Sequence, residues 1–194
     1  MKPEEFEIVE YRFAEPTDKY DNKYLDNWSR PYEYKFVMDF ILEHKQEGMK
    51  IHNTSCGGHH NVHIIFRDEL DKIGDCIHSD VKMSPRRAIQ HYNITHESSL
   101  FINKFDFVLN ISTIEHLPDN RLTAIENLFK QAKAGGYLII TFDYPGMKIT
   151  ALQPLLKATC VKPRICLTGD TSVSPNSKTI PRHEIVFLVI KKLR

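Results

Sequence analysis

The chain lacks an excess of charge of either sign. Its 26 lysines and arginines face 25 aspartates and glutamates, for a formal net charge of +1. That balance supplies no basic surface for which nucleic acid would be an obligatory partner. It also lacks an apolar run of the ~18 residues a membrane-crossing helix needs, so no membrane role is expected. The opening segment MKPEEFEIVEYRF is acidic and has no apolar core of the kind a signal peptide carries. Cysteine is scarce: Cys56, Cys76, Cys160 and Cys166 form no C-x-x-C pair. The expectation is a cytoplasmic protein whose thiols are reduced and mostly buried. What remains is 194 residues, enough for one α/β domain with a full core.

No domain boundary or internal repeat stands out. Residues 1–28, interrupted by Pro3 and Pro16, read as an irregular N-terminal arm. Ser29 and Pro31 open a helix that places Tyr32, Phe36 and Phe40 on one face, with Gly48 as its stop. Residues 49–53 read as a strand, 55–58 as a turn, 61–70 as a helix and 75–79 as a strand ending at Asp80. A short helix is expected over 85–91 and a strand over 92–95. Residues 105–111 are strongly apolar and read as a strand. Residues 120–134 carry Leu122, Ile125, Leu128 and Phe129 at helical spacing. Gly135-Gly136 then turns into a strand over 137–142. A helix over 150–157, a strand over 164–168, a Ser/Pro-rich loop over 169–181 and a final strand over 183–191 complete the pattern. Alternating strands and helices imply a mostly parallel sheet covered on both faces.

The stretch FDFVLNISTIEHLPDNRLTAIENLFKQAKAGGYLIITFDYPG, residues 105–146, is the most specific part of the chain. A strand runs into the Glu115-His116 pair, then a helix, then Gly-Gly and another strand. This resembles the second half of a class I S-adenosylmethionine (SAM) dependent methyltransferase domain. The likeness extends over about residues 29–146. It implies a doubly wound, Rossmann-like sheet of seven strands. Numbered along the chain, their order is 3-2-1-4-5-7-6, with the last strand antiparallel. In these terms 1–28 is an arm, 29–48 a cover helix and 49–194 the α/β core of a single domain.

The resemblance also implies a SAM site at the carboxyl ends of the strands. The first turn of the family commonly reads acidic-x-Gly-x-Gly-x-Gly, and here it is Asn53-Thr54-Ser55-Cys56-Gly57-Gly58-His59. The central glycine is kept as Gly57; Ser55, His59 and Asn53 replace the others. Asp80, 23 residues after Gly57, stands where an acid accepts from a ribose. Asn93 stands where the family often has an Asp facing the adenine amino group. Asn110 and Ile111 would line the cofactor edge. Trp28, Arg30 and Tyr32 resemble a segment that folds over the site, with Arg30 able to pair with a carboxylate.

The implied activity is methyl transfer from SAM to a small molecule, such as a sugar or other hydroxylated metabolite. His116 is the candidate base, with Glu115 orienting it; a structural role for the pair is favoured, because it recurs with different acceptors. Two other readings stay open. One is a non-catalytic protein that keeps the fold. The other is a metal-dependent enzyme using His52, His59, His60 and His63, although no metal site is expected from them.

Overall fold

A computed structural model describes residues 1–14, 21–24, 29–58, 60–82, 88–117, 119–143, 152 and 185–194. Seven strands form one sheet: β1 (Phe6–Phe13), β2 (Lys50–Thr54), β3 (Asp75–Asp80), β4 (Ile89–His91), β5 (Phe105–Ile111), β6 (Ala132–Asp143) and β7 (Ile185–Lys192). Their order is β1-β7-β6-β5-β2-β3-β4. The pairings among β2 to β6 are parallel, whereas β7 is antiparallel to both β6 and β1. Among the described residues three helices pack on the sheet: α1 (Arg30–Glu43), α2 (Asn61–Asp71) and α3 (Arg121–Gln131). Among the described residues, no helix is long and apolar enough to cross a membrane.

Both faces of the sheet are buried, so its central strands are apolar at nearly every position. Val108, Leu138, Ile140 and Leu188 pack with Ile125 and Leu128 of α3 on one face. Phe107, Leu109, Ile139 and Val189 meet Val37 and Ile41 of α1 and Phe66 and Leu70 of α2 on the other. The two-residue period of β5 and β6 divides the residues between these cores.

The expected central pair and the antiparallel ending are present, as β2 beside β5 and β7 beside β6. The edge differs. The segment read as an irregular arm contains β1, which occupies the edge beyond β7. Its register shifts between Ile8 and Glu10, a bulge that breaks the two-residue alternation and hides the strand from a periodicity reading. The strand expected over 164–168 and most of the helix expected over 150–157 lie outside the described residues.

Other boundaries are corrected by tertiary pairing. The third parallel strand is Ile89–His91, inside the segment expected to be a helix, because Ile89 pairs with His78 and is buried. Residues 93–95 instead form a turn, with the Asn93 side chain accepting from the backbone and hydroxyl of Thr95. Helix α3 stops at Gln131 rather than 134, and β6 begins at once. Gly136 therefore lies within the strand, and a Cβ there would stand 2.9 Å from the Phe105 carbonyl oxygen. Helix α1 stops at Glu43, with Gly48 in the turn beyond it at φ +67°.

Candidate functional site

From β2 the chain runs outward through β3 to β4, then returns to place β5 on the opposite side of β2. That reversal is the switch point of a doubly wound sheet, where strand ends diverge and leave a crevice. A cavity of about 300 Å³ opens there. The end of β2 and its turn contribute Asn53, Ser55, Cys56 and Gly57, and Asp80 stands at the end of β3. Asn93 and Ile94 form one wall, Ile111 and Ser112 another. Arg30 and Tyr34 reach in from α1, and His63 from the first turn of α2.

The turn after β2 is shaped by left-handed backbone. Ser55 has φ +52° and Gly57 φ +69°. Glycine adopts this conformation freely, but serine does so at a cost of about 1–2 kcal/mol. Gly57 also has no room for a side chain, since a Cβ would lie 2.6 Å from the His63 ring. The turn is tied down from two sides. Asp80 Oδ2 accepts the Gly57 backbone N–H at 3.1 Å. Buried Arg67 donates to the carbonyls of Cys56, Gly57 and Gly58 at 3.2, 2.7 and 3.3 Å. This guanidinium clamp does work that a glycine-rich sequence leaves to backbone freedom alone.

Asp80 also accepts the Lys82 N–H through Oδ1. Each carboxylate oxygen can accept more than one hydrogen bond, so capacity remains for a ligand hydroxyl. Arg30 donates to Glu33 and Ser29, while its Nε has no partner among the described residues. Behind it, Glu33 is fully buried and accepts from Ser29, Arg30, Ser112 and Thr141. Burial alone would raise the Glu33 carboxyl, but Arg30 and the three hydroxyls outweigh it and hold it below the ordinary carboxylate value.

Tyr34 stacks on Phe66 and bonds His63 Nδ1 through its hydroxyl. Burial, with Arg30, His60 and Arg67 nearby, lowers the His63 pKa to about 4. The ring is therefore neutral near pH 7. The tautomer follows from the direction of that bond: where the Tyr34 hydroxyl donates to Nδ1, Nε2 carries the proton and is a donor.

Of the residues expected at a site, Arg30, Asn53, Ser55, Cys56, Gly57, Asp80, Asn93 and Ile111 line this cavity. Gly58 belongs to the same turn but meets Arg67 instead. Asn110 is buried beneath the cavity, donating to Thr54 Oγ1 at 3.2 Å. Tyr32 faces away, packing with Ala14, Ile185 and Phe187. Trp28 and His59 lie outside the described residues. Asn93 commits both lone pairs of its side-chain oxygen to Thr95, so its amide N–H₂ is the group left for a ligand.

Glu115 and His116 sit in the single 3-10 turn Ile114–His116. His116 is exposed and does not line the cavity. Glu115 is buried, and neither carboxyl oxygen has a partner among the described residues. Burial, reinforced by the nearby Glu33 and Asp143 carboxylates, pushes its pKa up to about 8. The cap position of α3 is taken by Asn120.

Of that histidine group, the three described members, His52, His60 and His63, do not converge. His52 is buried in the other core, bonded to Gln131 at 2.6 Å and Ser79 at 2.8 Å. His60 meets His63 only edge to face, with centroids 5.8 Å apart. Sequence reading missed Tyr34, Glu33 and Arg67, and named His63 only as a candidate metal ligand. Two of these carried a signal: Glu33 and Arg67 are charges on the apolar faces of helices, where a buried charge needs partners.

No family model matches the sequence, and no curated protein matches it significantly. Many solved structures match its fold. A SAM-dependent methyltransferase from Aquifex aeolicus is 15% identical, with 90% of this chain and 94% of that one covered at a TM-score of 0.54. One from Archaeoglobus fulgidus is 12% identical, with 89% and 100% covered at 0.52. A 1,6-didemethyltoxoflavin-N1-methyltransferase from Burkholderia thailandensis, solved with 1,6-didemethyltoxoflavin and S-adenosylhomocysteine, is 12% identical. There 84% of this chain and 79% of that one are covered at 0.54. The fold is that of class I SAM-dependent methyltransferases.

Proposed function

We propose that this protein is a SAM-dependent methyltransferase acting on a small molecule, with SAM held in the cavity at the ends of β2, β3 and β5. The observation that carries this reading is Asp80. Its carboxylate stands at the end of β3, fixes the Gly57 turn, and retains acceptor capacity on the cavity wall. A ribose diol matches that capacity. Arg30, whose Nε–H has no partner among the described residues, and the His63 ring both line the cavity and suit the carboxylate of the methionine moiety. The Asn93 amide N–H₂ suits a ring-nitrogen acceptor on adenine.

When bound, SAM supplies an already activated methyl group, so the chain's part is placement of the acceptor and exclusion of water. The hydroxyl of Ser112 is held by Glu33, which keeps that rim of the cavity rigid. No base role is assigned to His116, because its side chain stands off the cavity wall. The changes at Asn53, Ser55 and His59 are read as tolerated, since Arg67 and Asp80 hold the turn that glycines would otherwise permit.

Calorimetry with SAM and S-adenosylhomocysteine tests the reading. Either ligand at 100 times its dissociation constant should stabilise the fold by about 2.7 kcal/mol. Asp80→Ala should weaken binding by about 1.5–3 kcal/mol, the range for a hydrogen bond to a charged group. Binding without turnover against a panel of small acceptors would support the non-catalytic alternative. Absence of binding by the unmodified protein would overturn the proposal.

A further inference from the structure

We propose that Asp71, Cys76 and His78 form a binding site for a divalent transition metal of the zinc type, separate from the cavity described above. Cys76 and His78 are two residues apart on β3 and therefore project from the same face. Asp71 comes from the last turn of α2, packed over that face. The carboxylate oxygen, thiol sulfur and imidazole nitrogen all lie within 4.8 Å of one another. It is the only such group among the described residues. None of the three lines the cavity.

The donor set selects the ion. Thiolate and imidazole favour zinc and its neighbours over magnesium or calcium, which take oxygen ligands. Tetrahedral zinc needs these donor atoms roughly 3.3–3.5 Å apart, from Zn–N near 2.0 Å and Zn–S near 2.3 Å. Small side-chain rotations close the remaining distance. His78 Nε2 and Asp71 Oδ1 already stand at 2.9 Å. Asp71 is half-exposed, which gives an ion a path in and leaves a fourth position for water. Asp68 and Asp75 add negative charge around the group, and Arg67 is the opposing cation.

The ion replaces the thiol proton of Cys76, which leaves to solvent, and forms a metal–sulfur bond. His78 stays neutral by moving its proton from Nε2 to Nδ1, freeing Nε2 as a ligand. Nδ1 faces the Asn53 amide at 3.3 Å. When that amide turns its oxygen inward it accepts the new N–H, the outer contact that orients a metal-bound histidine. Asn53 thereby joins this group to the cavity wall.

Cobalt(II) titration of the full chain tests the site, because a cobalt–thiolate bond gives a charge-transfer band that carboxylate and imidazole alone do not. One equivalent should produce the band, and zinc should abolish it. The band should persist in a Cys160→Ala/Cys166→Ala variant and vanish in Cys76→Ala. Asp71→Asn and His78→Gln should each weaken zinc at least tenfold in chelator competition. Cys76→Ser provides a second thiol-free variant should alanine perturb folding, with circular dichroism checking each protein. A band that survives loss of Cys76, or no band at all, would overturn the proposal.

Discussion

Two buried carboxylates at the cavity's edge are driven in opposite directions by their neighbours. Glu33 has a cation and three hydroxyls and is held ionised. Glu115 has no hydrogen-bond partner among the described residues, and its pKa rises from 4.5 to about 8. A carboxyl whose folded pKa is raised stabilises the fold fully at pH below its unfolded value. That contribution is lost as pH climbs through the folded value. For Glu115 the window is pH 4.5 to 8. Over it, Glu115→Gln should gain stability relative to the unmodified protein, by a few kcal/mol at the upper end. Urea unfolding of both proteins at a series of pH values measures the difference. Parallel stability curves across that range would mean that Glu115 is not buried as an acid.

At the scale of elements, Glu33 is how α1 is attached to the sheet. Its oxygens reach Ser112 after β5 and Thr141 of β6, while Arg30 and Ser29 begin the same helix. Glu33→Gln leaves the largely buried Arg30 guanidinium without the carboxylate it bonds, which should cost about 3–5 kcal/mol near neutral pH. The sign with pH is opposite to that of Glu115. A carboxylate with a lowered pKa stabilises above its unfolded pKa and stops doing so as pH falls through the folded one. The loss on mutation, read from urea midpoints, should therefore shrink in acid. An equal loss at pH 3 and pH 7 would argue against an ionised Glu33. Elements whose signal is local were readable from sequence: β5 from its apolar run, α2 from the helical spacing of Val62, Ile65, Phe66 and Glu69. Asp80 and Gly57 were placed at the cavity because ligands bind at the strand ends beside the switch point of any doubly wound sheet, and Arg30 because its segment resembles one that folds over such a site. The clamp by Arg67 and the hub at Glu33 were not readable, because their partners lie on other elements. Tyr32 was misplaced because it lies on the opposite side of α1 from Arg30 and Tyr34, against the β7 edge rather than the cavity.

At the scale of the whole molecule, the sheet's outer edge is closed by a segment that sequence reading left irregular. Without β1, β7 would present IVFLVIKK as an open edge next to the core. Six of its residues, from Ile185 to Ile190, are buried and apolar. Such an edge invites pairing with another chain. β1 blocks it, exposes Glu7, and lays the Arg12 guanidinium, paired with Glu10, over the Phe187 ring. It also inserts Phe6 into the core beside Phe129, ring edge to face. Burying that one side chain is worth about 1.5–3 kcal/mol before any ladder hydrogen bond is counted. Removing residues 1–13 should therefore lower stability by at least about 3 kcal/mol and promote association. Thermal unfolding and light scattering on the shortened chain read both effects. Restoring the segment as a separate peptide should recover part of the loss, since among the described residues β1 joins the sheet through β7 alone. A shortened protein that stays monomeric with an unchanged melting temperature would show that β1 is not a structural part of the sheet.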